Sequence, residues 1–97
     1  MHCTITTFDY PADKRGEVEA FCRSIADKVK DLGPKTSVLV DFGAGKAANV
    51  ALYASAAEAE AATLGAMALY EAAGKAGLLN PQSVDRRHGT VMFDYLG

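Results

Sequence analysis

The sequence predicts an α+β domain in which four strands and two helices follow the order βαββαβ. Residues 13–32 and 55–77 carry apolar residues or alanines at helical spacing, whereas β-branched and aromatic residues fill the segments around them. With right-handed crossovers, this order gives a four-stranded antiparallel sheet, strand order 4-1-3-2, with both helices on one face. The expected architecture is a ferredoxin-like sandwich. Residues 1–97 are expected to form a single domain, because 97 residues do not support two cores.

The first half of the chain predicts a strand followed by an amphipathic helix. Residues 2–10 are rich in Thr, Ile, Phe and Tyr, and Pro11 ends the run. Asp13 is the expected N-cap of the helix. Apolar residues then recur at spacings of three and four from Val18 to Leu32, which places them on one helix face. A Gly-Pro pair at 33–34 is a stop signal for this helix.

The second half predicts a hairpin, a helix and a last strand. Residues 36–42 and 47–54 are short β-forming runs on either side of a glycine-rich turn. Ser55 followed by Glu58 forms a capping box that starts an alanine-rich helix. After a turn at Asn80 and Pro81, residues 84–96 are the expected fourth strand.

Charge and composition exclude several classes of function. The chain has 10 Lys plus Arg and 12 Asp plus Glu, a net charge of -2, which gives no electrostatic case for nucleic acid or an anionic membrane. No stretch approaches the roughly 20 apolar residues of a membrane span, and the start of the chain lacks a signal-peptide pattern, so a cytoplasmic protein is expected. Without a CxxC motif or clustered histidines, neither a metal site nor a disulfide is expected.

The sheet face away from the helices needs a cover. Predicted strands 2 and 4 are apolar on both faces, with Val38, Val40 and Phe42 alternating with Leu39, and Val91, Phe93 and Tyr95 alternating with Met92 and Leu96. The other residues are already assigned to strands, helices and turns, so none is left to cover this face. A second copy is the economical cover, so we expect a homodimer through the sheet face.

Two blocks of sequence resemble a known family. They are Gly45-Lys46 with Leu52-Tyr53-Ala54-Ser55 before an Ala/Glu-rich helix, and Leu78-Leu79-Asn80-Pro81 before Val84. In element order nearly the whole chain resembles the antibiotic-biosynthesis-monooxygenase-like family of the dimeric α/β-barrel superfamily. The resemblance implies a homodimer with one pocket per protomer, either between the sheet and the helices or inside the barrel. It also implies cofactor-free oxidation of a small aromatic or quinol-like molecule, with no bound cofactor or metal.

The chain departs from the haem-degrading members of that family. Those members use an Asn on strand 1, a Trp on strand 3 and a His on helix 2. This chain has no Trp, its first strand offers Thr4, Thr6 and Thr7 in place of Asn, and residues 55–77 contain no His. The haem-degrading reading therefore fails, and the quinol monooxygenase reading remains.

The hairpin carries the candidate catalytic residues. We expect Val38 and Val40 on one strand, and Val50 and Leu52 on the other, to face the helices. If the turn has an odd number of residues or a bulge, one group of side chains then lies together on the barrel side. This group is Thr4, Thr6, Leu39, Asp41, Asn49, Ala51 and Tyr53. Asn49 would hold a substrate oxygen, Asp41 would accept a phenolic proton, and Tyr53 would stack and donate. The alternative is a solvated Asp41, a tolerated Asn49 and a core Tyr53.

Other polar and apolar residues complete the candidate set. His88 is a possible acid or base, and the adjacent Arg86 and Arg87 suit an anionic group, although an exposed basic turn is the alternative. Met67 and Tyr70, one helical turn apart, would form a ligand wall or part of the core. The alternative to an enzyme is a non-catalytic dimeric protein that binds a small ligand or has an accessory role.

Overall fold

A computed structural model describes all of residues 1–97. Its strands and long helices are β1 (His2–Asp9), α1 (Arg15–Asp31), β2 (Thr36–Gly43), β3 (Lys46–Tyr53), α2 (Ala56–Lys75) and β4 (Asp85–Thr90). Short 3-10 turns precede α1 and β4. The sheet is antiparallel throughout, with strand order β2-β3-β1-β4. The βαββαβ order and the predicted 4-1-3-2 arrangement are therefore confirmed.

The two helices start differently. The Ser55 hydroxyl accepts a hydrogen bond from the Glu58 amide at 3.2 Å, which confirms the predicted capping interaction at α2. The predicted Asp13 cap of α1 is wrong. Asp13 lies inside the 3-10 turn Ala12–Lys14, and Lys14 precedes α1 without a side-chain cap. The turn gives one of the backbone amides at the start of α1 a hydrogen-bond partner, because the Lys14 amide donates to the Pro11 carbonyl at 2.8 Å.

The fourth strand is shorter than the sequence predicts. β4 ends at Thr90, which pairs with His2 at the start of β1. Beyond that point β1 offers no further partner, and only the Val91 amide still donates to the Met1 carbonyl at 2.9 Å. The prediction of a strand over residues 84–96 is therefore wrong in its second half. Residues 91–96 leave the sheet, and Phe93 and Tyr95 stack edge to face with ring centroids 4.8 Å apart.

The hairpin register confirms which side chains share a face and reverses the orientation of that face, and Asp41 pairs with Ala47 instead of facing Asn49. Val38 pairs with Val50 and Leu39 with Asn49, and a bulge between Asp41 and Gly43 accommodates the turn. The predicted direction is wrong, however. The side that carries Leu39, Asp41, Asn49, Ala51 and Tyr53 faces the helices, because Ala51 and Tyr53 pack against α2 at Ala59 and Ala62. Small alanines on both surfaces let α2 lie close to the sheet.

The opposite side of the sheet, which we call the outer face, is apolar over three strands. Ile5, Val38 and Val40 are 45%, 51% and 39% exposed, and Val50 and Leu52 are half-buried beside them. On β4 the outer face turns polar, with Asp85 and Arg87. Ile5, Val38 and Val40 stay exposed within the protomer, whereas Leu52 lies near Met1, Val91 and Phe93 at one end of the face.

No helix combines the length and the apolar character needed to cross a membrane.

Candidate functional site

A cavity of about 490 Å³ lies between the two helices and the inner face of the sheet. It exists because α1 is held at its two ends and does not pack along its length. Val18 and Phe21 contact the core around Phe8, and Leu32, just after the helix, contacts the core around Tyr53. Between these anchors the apolar side of α1 faces the cavity, and no residue of α1 is fully buried. The volume lies within the range of small-molecule sites, roughly 300–1,000 Å³.

One straight row of four residues crosses the inner face of the sheet, and three of the four line the cavity. Leu39, Asn49, Thr6 and Arg86 are successive cross-strand neighbours on β2, β3, β1 and β4. The Asn49 amide nitrogen donates to the Ser37 hydroxyl at 3.2 Å, and its amide oxygen has no partner. The row therefore places an amide and a guanidinium along the base of a mostly apolar space.

Tyr70 on α2 contributes the polar group of the opposite wall. Its ring packs edge-on against Phe8, with centroids 5.9 Å apart. Burial raises the pKa of the Tyr70 phenol, and the nearby Thr6 hydroxyl and Arg86 charge oppose that rise. A raised pKa keeps this phenol protonated at neutral pH, so it can donate a hydrogen bond but cannot act as a base.

The structure brings together some of the predicted site residues. Thr4, Leu39, Asn49, Tyr53 and Tyr70 line the cavity. Thr6 lies in the same row, 1% exposed, although it is not part of the lining. Asp41, Met67 and His88 do not line the cavity. The cavity is also on the helix side of the sheet, not on the side predicted from the orientation of the hairpin.

Asp41 is part of a clamp at the hairpin end. Its carboxylate accepts hydrogen bonds from the Tyr10 hydroxyl at 2.8 Å and the Gly43 amide at 2.9 Å, and Arg15 lies 3.2 Å away. The Gly43 amide, then the Tyr10 hydroxyl and the Arg15 charge, hold the Asp41 pKa below its ordinary value. This carboxylate joins the hairpin to the segment before α1 and is not poised to accept a proton.

Replacing Asp41 by Asn should lower stability at neutral pH, and the loss should disappear in acid. Because the folded-state pKa of Asp41 is depressed, its contribution is present above the ordinary value of 3.8 and is lost as pH falls through the folded value. Urea unfolding of wild type and Asp41→Asn, followed from pH 7 to pH 2, tests this. Asp27→Asn, at an exposed position on α1 without an ion pair, is the control. An Asp41→Asn deficit that persists unchanged at pH 2 would contradict the assignment.

The two histidines form a pair that the sequence analysis missed. His2 Nε2 and His88 Nδ1 are 3.0 Å apart across β1 and β4. His2 is buried and its Nδ1 has no partner, whereas His88 is exposed. No third potential metal ligand joins them.

Met67 is 38% exposed on α2, outside the cavity.

Arg86 and Cys22 also line the cavity and were not predicted to do so. Alternation along the strand could have identified Arg86, because it places Arg86 and Arg87 on opposite faces of the sheet. Burial raises the pKa of the Cys22 thiol, which keeps it protonated and unreactive.

The fold and the cavity together define a ferredoxin-like α+β domain with an internal space of ligand size. Solved structures of the same fold come from several bacteria. A Nitrosomonas europaea protein of unknown function is 15% identical at TM-score 0.77, over 99% of this chain and 93% of that one. Rv0793 from Mycobacterium tuberculosis is 15% identical at TM-score 0.71, over 97% of each chain.

A second Nitrosomonas europaea protein has a name that proposes an antibiotic biosynthesis monooxygenase. It is 10% identical at TM-score 0.69, over 96% of this chain and 100% of that one. These structures confirm the predicted ferredoxin-like fold, and the name of one of them comes from the family that the sequence resembles. No family model and no curated protein matches the sequence.

Proposed function

We propose that this protein is a homodimer that binds a small aromatic, quinol-like molecule in the cavity of each protomer and oxidises it with molecular oxygen, without a cofactor. The cavity of about 490 Å³ is the observation that carries the proposal. Its lining is mostly apolar, with a few polar groups on the floor, which is the composition of sites that bind flat aromatic molecules.

Three side chains give the cavity its chemistry. The free amide oxygen of Asn49 accepts a hydrogen bond from a hydroxyl of the substrate, and the contact with Ser37 fixes the amide orientation. The protonated Tyr70 donates to an oxygen from the opposite wall. Tyr53 supplies a buried aromatic surface at the other end of the floor. Asp41 and His88 have no part in this scheme because they lie outside the cavity.

The reaction needs no external reductant when the substrate is a hydroxylated aromatic. For 1-naphthol, one atom of O2 enters the ring at C4, where the ring loses one hydrogen, and the hydroxyl loses its proton. These two hydrogens leave with the second oxygen atom as water. The products are 1,4-naphthoquinone and one water, so atoms and electrons balance. The protein's part is to hold the ring and its hydroxyl in a dry, oriented site.

The outer face supports the dimer. Ile5, Val38 and Val40 form an uncovered apolar surface, and such surfaces on small soluble domains mark association sites. A self-complementary pairing of this face buries it in both copies at once.

Oxygen uptake with 1-naphthol tests the proposed reaction. We expect 1,4-naphthoquinone with one labelled atom from 18O2, and Asn49→Ala and Tyr70→Phe should each lower kcat/KM by roughly tenfold or more. Ser24→Ala, on the exposed side of α1, is the control and should match wild type. Full activity in both cavity variants would exclude this site.

A non-catalytic binding protein is the second candidate. The cavity lining contains no carboxylate and no imidazole, so no ordinary general base faces the ligand. If 1-naphthol binds in the cavity and oxygen uptake stays at the uncatalysed rate, this second function replaces the first.

A further inference from the structure

Arg86 is a cation in the cavity without a partner. It forms no ion pair and no hydrogen bond through its side chain, and its Nη2 is fully buried. The side chain lies on the inner face of β4, where Arg86 pairs with Thr6 across the sheet. Arg86 as a whole is half-buried, and a guanidinium nitrogen held away from water is costly unless an anion or another acceptor meets it. An unsatisfied guanidinium nitrogen on a residue that lines the cavity therefore points to a ligand that satisfies it.

The charges that line the cavity are all of one sign. Lys30, Lys35 and Arg86 line it, whereas no Asp or Glu does, although the chain as a whole has a net charge of -2. None of the three cations is in an ion pair, while six other cation–carboxylate contacts occur elsewhere in the molecule. The excess of positive charge is therefore specific to the cavity. A cleft lined by one sign of charge concentrates ligands of the opposite sign.

The three cations have different positions. Lys30 and Lys35 are exposed, near the C-terminal end of α1 and the start of β2. Arg86 is on β4, at the opposite edge of the sheet, with its Nη2 out of contact with solvent. Exposed lysines contribute little to binding energy and mainly attract the ligand, whereas a desolvated guanidinium forms strong contacts. Arg86 is therefore the group that would hold the charge of the ligand.

We propose that the cavity takes small aromatic carboxylic acids, with the carboxylate bound by Arg86 and the ring between α1 and the sheet. A carboxylate is favoured because its two oxygens match the planar fork of the guanidinium. It is also charged at neutral pH, whereas a phenol, with a pKa of about 10, is not. The inference rests on the proposed function in using the same cavity, and it narrows the substrate to a hydroxylated aromatic acid.

The test compares two ligands that differ only in charge. 1-Hydroxy-2-naphthoate and 1-hydroxy-2-naphthamide have nearly the same shape, and both can be titrated by calorimetry against the wild-type protein. We expect the carboxylate to bind about 10- to 100-fold more tightly than the carboxamide. This comparison needs no variant. Equal affinities would overturn the inference, while binding of either compound would leave the proposed cavity in place. Binding of neither compound, nor of 1-naphthol, would overturn both.

Matched arginine variants then locate the recognition. Arg86→Gln should remove the preference for the carboxylate and leave the affinity for the carboxamide within about twofold. Arg87→Gln makes the same charge change one residue away on the outer face, where Arg87 is 84% exposed and paired with Asp85, so it should retain the preference. Arg86→Gln removes a charge that no contact in the fold uses, and circular dichroism checks that it folds. A preference that survives in Arg86→Gln would assign recognition to the lysines and overturn the role of Arg86.

Discussion

Replacing Val40 by Glu should convert the protein from a dimer to a monomer. Val40 lies in the apolar part of the outer face, next to Val38 on the same strand and facing the side away from the helices. In a symmetric dimer both copies would bring a carboxylate into the interface without a partner. Burying an unpaired charge costs several kcal/mol, so the dimer dissociation constant should rise roughly 100-fold or more.

Sedimentation velocity at micromolar concentration measures this outcome. Ser24→Glu adds the same charge on the exposed side of α1 and should leave the assembly unchanged. A wild-type protein that sediments as a monomer, or a Val40→Glu protein that remains dimeric, would show that the outer face is not the interface. Circular dichroism of Val40→Glu should match wild type, because Val40 contributes nothing to the inner core.

Gly45→Ala should be the most destabilising small substitution in the hairpin. Gly45 has φ +76°, a left-handed conformation that costs a residue with a Cβ about 1–2 kcal/mol. In addition, a Cβ at this position would collide with the carbonyl oxygen of Tyr10. Because that oxygen belongs to the backbone, the collision cannot be relieved by a side-chain rotation. We expect a loss of roughly 3 kcal/mol, or a fall in Tm of more than about 10 °C.

Gly43→Ala is the matched control for this prediction. Gly43 has φ +86° in the same turn, but a Cβ there would meet nothing within 4 Å. Its loss should be limited to the conformational cost, about 1 kcal/mol. Thermal and urea unfolding at one fixed protein concentration measure both variants. Equal losses of stability in the two variants would mean that the close approach of Gly45 to Tyr10 does not affect the free energy of unfolding.

The order of elements could be predicted because its signals are local. Ser55 caps α2 as expected, and the glycines around Ala44 produce the turn between β2 and β3. The strand order then follows from crossover handedness and needs no long-range information. The end of β4, in contrast, could not be predicted from local signals. It depends on where β1 begins, because His2 is the last residue that can pair with it, and no local signal in residues 91–96 carries that information.

The orientation of the hairpin was predicted wrongly for a physical reason. The usual rule places the more apolar side of a strand against the helices, and on β2 this side is Val38 and Val40. This rule cannot identify the side toward the helices when the face away from them is apolar as well. The inner side instead carries Ala51 and Tyr53, which suit close packing against the alanines of α2.

The candidate site was predicted only in part. Asn49, Tyr53 and Tyr70 do line one space, because strand alternation and helical spacing bring them to the same side. Asp41 falls outside the cavity because it lies at the turn, where Tyr10 and the Gly43 amide reach it. Arg86 and the pairing of His2 with His88 depend on the exact register between β1 and β4, which becomes known only once the sheet is assembled.

The attachment of α1 at its two ends has a consequence for the cooperativity of folding. Residues of the sheet and of α2 form both apolar core clusters, while α1 is joined to them near Val18, Phe21 and Leu32 and by the contact between Arg15 and Asp41. Such a helix can detach while β1, β3 and α2 stay folded, so its opening free energy is lower than that of global unfolding. A ligand that fills the space beneath α1 adds contacts along the whole helix. Binding would then merge two cooperative units into one, and α1 amide protection would report occupancy more directly than global stability.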